Sequence, residues 1–285
     1  MAEHAPEKRG VTGSTPVPTT IAWEAYDGSW AVPMRHGFSM YLRPGCSHSE
    51  RRFRYRVLEA NELDVLASRD FVGFTCIDVG ANVGYWSRFL LDRIGPTGAI
   101  HAFEPDPRSV AVLRRNLADP RGHVVEGAVG ATRGTTTLYS DPTQSGLNST
   151  LPFHGGLVFE VPIVSIDGYV ADARIARVDF VKIDVQGGEI DVLHGAIATL
   201  ERDRPCVYME WTHSYDSVEG RVEYGLDHRA RTAAMREQME AMGPIYRITG
   251  GTFVAMSDGD WESFEGNVVI NPPPDWLGVS RRRGG

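Results

Sequence analysis

Three stretches of the chain gather residue types that could do chemistry. The first is Asp78-Val79-Gly80-Ala81-Asn82-Val83-Gly84, where an acid stands two residues ahead of the first glycine. The second is HAFEPD, in which Glu104 lies 24 positions after Gly80. The third is DFVKIDVQGGEIDVL, where Lys182 and Asp184 interrupt an apolar run and Glu189 follows a Gly187-Gly188 pair. Glu210 and His213 come later in EWTHSY, and Asn148 and Ser149 sit in the polar loop GLNST.

An apolar run ending in Gly80 and Ala81 lets backbone approach a nucleoside with no bulky side chain in the way. A dinucleotide site would use G-x-G-x-x-G, with pyrophosphate on the following helix N-terminus. Here Asn82 takes the middle position, and Asp78 would repel a pyrophosphate. An acid at that point suits a cation instead. S-adenosylmethionine carries an α-ammonium and a sulfonium, so Asp78 and the turn from Gly80 through Asn82 to Gly84 are expected to hold its methionine end. Glu104 can accept both hydroxyls of a ribose, in methyltransferases and NAD enzymes alike, and does not choose between them. Glu126 and Ala128 end the next strand, where an adenine edge and face are expected.

An unpaired Lys or Asp is costly to bury, so Lys182 and Asp184 should pair or face a polar site. For Lys182 a Lys–Asp pair bracing the sheet end competes with a place in the site, whereas Asp184, beside the Gly187-Gly188 turn, reads more as a site residue. Glu189 opens a helix, where an acid meets the macrodipole favourably, and that role and a site role both stay open. A hydroxyl nucleophile must lose its proton as it takes a methyl group, which makes Asp184, Glu210 and His213 the candidate bases. Asp184, Glu189 and Glu210 could also hold Mg²⁺, although no tight ligand spacing supports a metal. Asn148 and Ser149 are either substrate or cofactor contacts or members of a plain turn.

These residues need elements to position them. Periodicity predicts strands at FTCIDVG, AIHAFEPD, HVVEGAVG, VDFVKIDV and PCVYMEW, an edge strand at TTTLYS, and late strands at YRITGG and GNVVINP. Helices are predicted over Val83–Ile94, after Asp106-Pro107, over a face bearing Ile190, Leu193, Ile197 and Leu200, and over Leu226–Met242. Alternating strands and amphipathic helices imply an α/β, doubly wound, mostly parallel sheet, which binds ligands at the carboxyl ends of its strands. The expected organisation is a disordered tail over 1–20, an N-terminal cap over 21–70, the main domain over 71–275 and a basic flexible tail over 276–285. A short helix is predicted near Ala60 to Ser68, and the cap aromatics Trp23, Trp30 and Tyr41 either cover a substrate or pack the cap onto the sheet.

Among 285 residues the net charge is −8 and 42% are hydrophobic, which fits a packed globular chain and argues against a broad grip on nucleic acid. Three widely spaced cysteines, Cys46, Cys76 and Cys206, suggest buried thiols and no zinc site. With no apolar signal core and no run of membrane-spanning length, the chain reads as soluble and cytoplasmic.

The ordered series IDVGANVGYWS, HAFEPDP, GLNSTL, SIDGYV, DFVKIDVQGGEIDVLHGA, YMEW and GNVVI resembles the FkbM-type methyltransferases from about Phe74 to Ile270. That resemblance implies a Rossmann-like methyltransferase fold and S-adenosylmethionine as cofactor, with Asp78, Gly80, Asn82 and Glu104 lining its site. It also implies that the Asp184 region and Glu210 face the reaction centre, and that a small hydroxylated acceptor, such as a polyketide, macrolide or saccharide, is O-methylated. One departure matters. The family usually reads D-V-E-G-x-E, whereas this chain has Gln186, which cannot act as a base or anionic ligand. Two other readings remain at this point: an NAD-dependent oxidoreductase with a degenerate glycine turn, and a non-catalytic binding protein on the same fold.

Overall fold

The structure is a computed structural model and describes residues 25–57, 59–151, 156–211, 228–261, 264 and 266–277. It opens with two short paired strands, β1 (Val32–Pro33) and β2 (Ser39–Met40), followed by α1 (Ser47–Tyr55) and α2 (Ala60–Leu66). The main domain then alternates. It contains β3 (Thr75–Val79), α3 (Tyr85–Leu91), β4 (Ala99–Glu104), α4 (Pro107–Asn116), β5 (Gly122–Glu126), β6 (Ala128–Val129) and β7 (Gly134–Ser140). After these come β8 (Leu157–Val164), α5 (Ile166–Asp172), β9 (Phe180–Ile183), α6 (Glu189–His194), α7 (Ile197–Asp203) and β10 (Cys206–Trp211). Helix α8 (His228–Met242) and strands β11 (Ile245–Thr249), β12 (Thr252–Ala255) and β13 (Gly266–Ile270) complete the order.

The large sheet runs β12-β11-β13-β10-β9-β3-β4-β5. Strands β10, β9, β3, β4 and β5 are mutually parallel, and β13, β11 and β12 join antiparallel. Chain order moves outward from β3 to β5 and then returns to the other side of β3 for β9. The switch point is therefore the β3/β9 boundary, where such sheets bind ligands.

Side chains alternate across this sheet, so each strand feeds two cores. Cys76, Ile100, Phe180, Cys206 and Tyr208 pack on one face with α3 and the cap, while Ile77, Phe103, Val181, Val207 and Met209 pack on the other with α6 and α8. Burial on both faces explains why these strands read as nearly continuous apolar runs. Tyr26, Val32, Met40, Phe53 and Leu63 share the first core, so the cap segment is packed onto the sheet. Trp30 lies edge-on to Tyr26 at 4.9 Å and Tyr41 sits under the Arg115 guanidinium at 3.7 Å, which makes both packing residues of the cap. Trp23 lies outside the described residues, and all three cysteines are buried and free. None of the described helices is long and apolar enough to cross a membrane.

Three expectations need correction. HVVEGAVG is not one strand: β5 ends at Glu126, opposite Glu104, and β6 leaves to pair with β8 in a separate three-stranded sheet, β6-β8-β7. TTTLYS is accordingly the edge of that small sheet. The face bearing Ile190 to Leu200 is two helices. The Asp167 carboxylate accepts the Ala198 and Thr199 N–H groups at 3.0 and 2.8 Å, which restarts the helix at Ile197 and leaves that residue 45% exposed. The boundary at 275/276 falls inside packed structure, because Trp276 is 2% exposed and its ring centroid is 4.9 Å from that of Phe71. Segments 1–20 and 278–285 lie outside the described residues.

Candidate active site

A cleft of about 240 Å³ opens at the carboxyl ends of β3, β4, β9 and β10. Its floor begins with a row set by strand register. Asp78 on β3 lies opposite Lys182 on β9, which lies opposite Tyr208 on β10. Lys182 Nζ is 3.3 Å from Asp78 Oδ1 and 3.6 Å from Asp184 Oδ2, and it donates to the carbonyls of Gly80 and Val79 at 2.9 and 3.3 Å. Burial pulls this ammonium down, but Asp78, Asp184 and Glu59 outweigh it and hold the group above its ordinary value. Ser87 Oγ donates to Asp78 at 2.5 Å. Asp78 is fully buried behind the residues that line the cleft, and its carboxylate pairs with Lys182. Lys182 is the brace that its alternation suggested.

Above that row the Gly80 turn folds back. Gly80 has φ +73, and a Cβ there would stand 1.9 Å from the Asp184 carbonyl oxygen. Glycine is required by the neighbouring backbone as well as by any ligand. Asn82 keeps a left-handed φ of +53, which asparagine tolerates better than most residues, and so fills the place of a middle glycine. Its N–H donates to Glu104 Oε2 at 2.8 Å, while the Asp106 N–H donates to Oε1 at 2.9 Å. Glu104 is only 4% exposed, and burial pushes its carboxyl up to about 7 even though those two N–H groups oppose the shift. Gly84 has no place in the cleft wall; a Cβ there would meet Leu113 of α4 at 2.6 Å, so it serves helix packing.

At the other end lies a carboxylate pair bridged by an amide. Gln186 Nε2 donates to Asp184 Oδ1 at 2.8 Å and to Glu210 Oε2 at 3.0 Å. Burial, followed by the charges of Asp184 and Glu189, raises Glu210 to about 8. A donor between two acids occupies the place a cation would take. Among the described residues no group of three or more His, Cys, Asp or Glu is arranged to hold a metal. Glu189 turns away from the cleft: its carboxylate accepts the N–H groups of Gly187 and Val185 at 3.0 and 3.2 Å and so clamps the Gln186–Gly187 loop. Of the candidate bases, Asp184 and Glu210 both line the cleft, and His213 lies outside the described residues.

The remaining candidates divide similarly. Ala128 lines the cleft beside Gly127 and Leu138, but Glu126 faces outward and pairs with Arg114 at 2.9 Å, because β5 ends at the sheet edge. Asn148 and Ser149 both line it. Asn148 donates to the Asp106 carboxylate at 3.0 Å, and Ser149 Oγ donates to the Gln186 carbonyl at 2.7 Å, so GLNST ties the β4 end to the β9 loop.

Three cleft residues from the cap carried no sequence signal. Glu59, at φ +46, accepts from Trp86 Nε1 at 3.1 Å and from Tyr208 Oη at 2.7 Å, and burial with the Asp184 charge raises it to about 7. His48 and Arg52 come from α1. Burial and the Arg52 and Arg51 charges lower His48 to about 4, leaving it neutral. Helix α1 is docked on the segment that leads into GLNST through Ser47 N–H to the Thr143 carbonyl, 2.7 Å, and Cys46 Sγ beside Ser145 Oγ, 3.2 Å, and on GLNST itself through the Gly146 N–H, which donates to His48 Nδ1 at 3.4 Å.

This geometry can be set beside known proteins. The family described as "Methyltransferase FkbM domain" matches residues 78–246, more than half of the chain. The 2-O-methyltransferase NoeI of Sinorhizobium fredii (strain NBRC 101917 / NGR234) is 28% identical over 153 residues, covering 48% of this chain and 62% of the relative. The 31-O-demethyl-FK506 methyltransferase FkbM of Streptomyces tacrolimicus is 32% identical over 156 residues, covering 43% of this chain and 59% of the relative. The chain thus spans about three fifths of the length of these two proteins. The crystal structure of methyltransferase FkbM from Methylobacillus flagellatus KT superposes with a TM-score of 0.44 at 15% identity, covering 71% of this chain and 45% of that one.

Proposed function

The chain belongs to the FkbM methyltransferase family, and from that premise we propose that it is an S-adenosylmethionine-dependent O-methyltransferase. Its acceptor in this reading is a hydroxyl of a small specialised molecule, a polyketide, macrolide or saccharide. The observation that carries the reading is Glu104, buried at the end of β4 beside the Gly80–Asn82 turn, in a cleft whose far end is lined by Glu59, Asp184 and Glu210. This donor set fits a nucleoside that ends in a cation. Glu104 suits a ribose diol, Ala128 and Leu138 offer apolar walls to a base, and the three acids suit a sulfonium and an ammonium. A diphosphate would meet those same acids and be repelled, which disfavours the dinucleotide alternative.

When bound, S-adenosylmethionine supplies a methyl group made electrophilic by the sulfonium. The chain's own residues align the partners, exclude water and manage one proton. We assign the proton-accepting atom to Glu210 Oε1, since Gln186 holds the other oxygen. A carboxyl raised to about 8 is a stronger base than an ordinary one, yet remains partly ionised near neutrality. Lys182 and Gln186 fix the Asp184 side of the pair, so the reacting end is held by the sheet rather than by loops alone. Two relatives support oxygen as the nucleophile, one named a 2-O-methyltransferase and one named for a 31-O-demethyl substrate.

The test is binding of S-adenosylhomocysteine by calorimetry. Glu104→Gln keeps the size of the side chain and loses its charge, and should weaken binding by about tenfold or more, the worth of a charge-assisted hydrogen bond. Undiminished affinity in that variant would overturn the reading.

A further inference from the structure

Arg52 of α1 lines the cleft and is 6% exposed. Its Nε and Nη1 are buried and have no hydrogen-bond partner. Leaving such donors unmet is costly, so a guanidinium in this state is normally matched by a planar anion. The protein's own acids do not supply one. Glu59 and Asp184 act on Arg52 through their charge, but Glu59 Oε2 is taken by Trp86 and Tyr208, and Asp184 Oδ1 by Gln186. Lys182, the other strong cation of the cleft wall, already meets two carbonyls and two carboxylates. Of these two cations, Arg52 is therefore the one with open donors.

We infer that Arg52 is a carboxylate-binding residue of this cleft, whose partner is either the amino-acid carboxylate of the donor or an acidic group on the acceptor. The inference rests on the methyltransferase reading above. Both sources present the same chemistry, two coplanar oxygens that a guanidinium fork can meet with paired N–H groups. Its position on α1 ties that recognition to the cap, which the GLNST loop holds over the strand ends.

Two nucleosides separate the sources by titration calorimetry: S-adenosylhomocysteine carries the carboxylate, and 5′-methylthioadenosine lacks the whole amino-acid end. If the donor is the partner, Arg52→Gln weakens S-adenosylhomocysteine about 10- to 100-fold, as expected for a charge-assisted pair, and leaves 5′-methylthioadenosine within about twofold. Arg52→Lys should fall between, because it keeps the charge and stem but loses the fork, and it carries the test if glutamine unsettles α1. If the acceptor is the partner, S-adenosylhomocysteine binding stays unchanged, and glucuronate raises the melting temperature of the nucleoside-saturated wild type but not of the glutamine variant. If Arg52→Gln changes neither S-adenosylhomocysteine binding nor the glucuronate response, the inference is overturned. Wild type that binds neither nucleoside would overturn the methyltransferase reading instead, and Arg52 would then stand or fall on whether glucuronate raises the melting temperature of the unliganded wild type but not of Arg52→Gln.

Discussion

Raising the pH should strengthen binding of the methyl donor more than binding of its demethylated product. Glu59 and Glu210 face the end of the cleft assigned to the sulfonium, and they are raised to about 7 and about 8. Near pH 6 a carboxyl titrating at about 7 is ionised in roughly one molecule in ten, and near pH 8.5 in nearly all of them. If the sulfonium requires one such charge, donor affinity rises by about tenfold over that interval, or about 1.4 kcal/mol. The thioether product lacks that positive charge but still contacts Glu104, so its profile should be flatter. Calorimetry in buffers of different ionisation enthalpy would report about half a proton more released by the donor than by the product near pH 7, approaching about one near pH 6. The empty protein should behave in the opposite sense. Its raised glutamates bind more protons folded than unfolded, so stability falls as pH climbs from the ordinary glutamate value through about 7 to 8, and the donor restores more of it at the alkaline end. Parallel pH profiles for donor and product, with equal proton counts, would refute the assignment of these acids to the sulfonium end.

Gln186→Glu should place a third acid against Asp184 and Glu210 and remove both bridging donations. The expected result is a lower melting temperature and an alkaline shift of about one unit in the acidic limb of the rate profile; an unshifted limb would show that Glu210 is not the titrating group. Asp78→Ala should act on the fold before it acts on binding, because it leaves Lys182 buried beside a missing partner. A loss of about 3–5 kcal/mol in chemical denaturation is expected. A variant of near wild-type stability that had lost nucleoside affinity would instead put Asp78 back among the ligand contacts.

The sheet and half of the cleft are legible in the chain because local pattern and tertiary role coincide there. Apolar runs become strands buried on both faces, and Asp106-Pro107 becomes an N-cap whose side chain accepts the Arg108 N–H at 2.9 Å. Glu104 and Asp184 stand at strand ends because polar side chains interrupting those runs had to emerge somewhere. What failed to read is what packing decides across long separations. Asp78 and Lys182 are 104 positions apart in sequence and become partners only through the β3/β9 register, which converts an expected ligand contact into a buried ion pair. Glu126 fails for the opposite reason: β5 is the last strand of its edge, so an acid there reaches solvent and Arg114.

The cap residues show a third kind of silence. Glu59, Arg52 and His48 sit in no motif, and α1 (SHSERRFRY) hides its one buried aromatic among arginines. A signal nevertheless exists in the backbone. Glu59, Asn82 and Gln186 all hold left-handed φ values, +46, +53 and +55, and all three line the cleft. Such conformations cost of order 1 kcal/mol or more for residues with a Cβ, and they persist where surrounding contacts over-determine them. Each of the three has its contacts. Glu59 is held by Trp86 and Tyr208, Asn82 by Glu104 and Ser145, and Gln186 by Asp184, Glu210 and Ser149. The strained turns therefore come from three separate segments and converge on one cleft, each presenting a polar side chain that a relaxed turn would point elsewhere. That convergence is why Gln186, a departure from the family pattern, is no defect in the fold: the left-handed turn aims its amide between two acids that would otherwise repel each other.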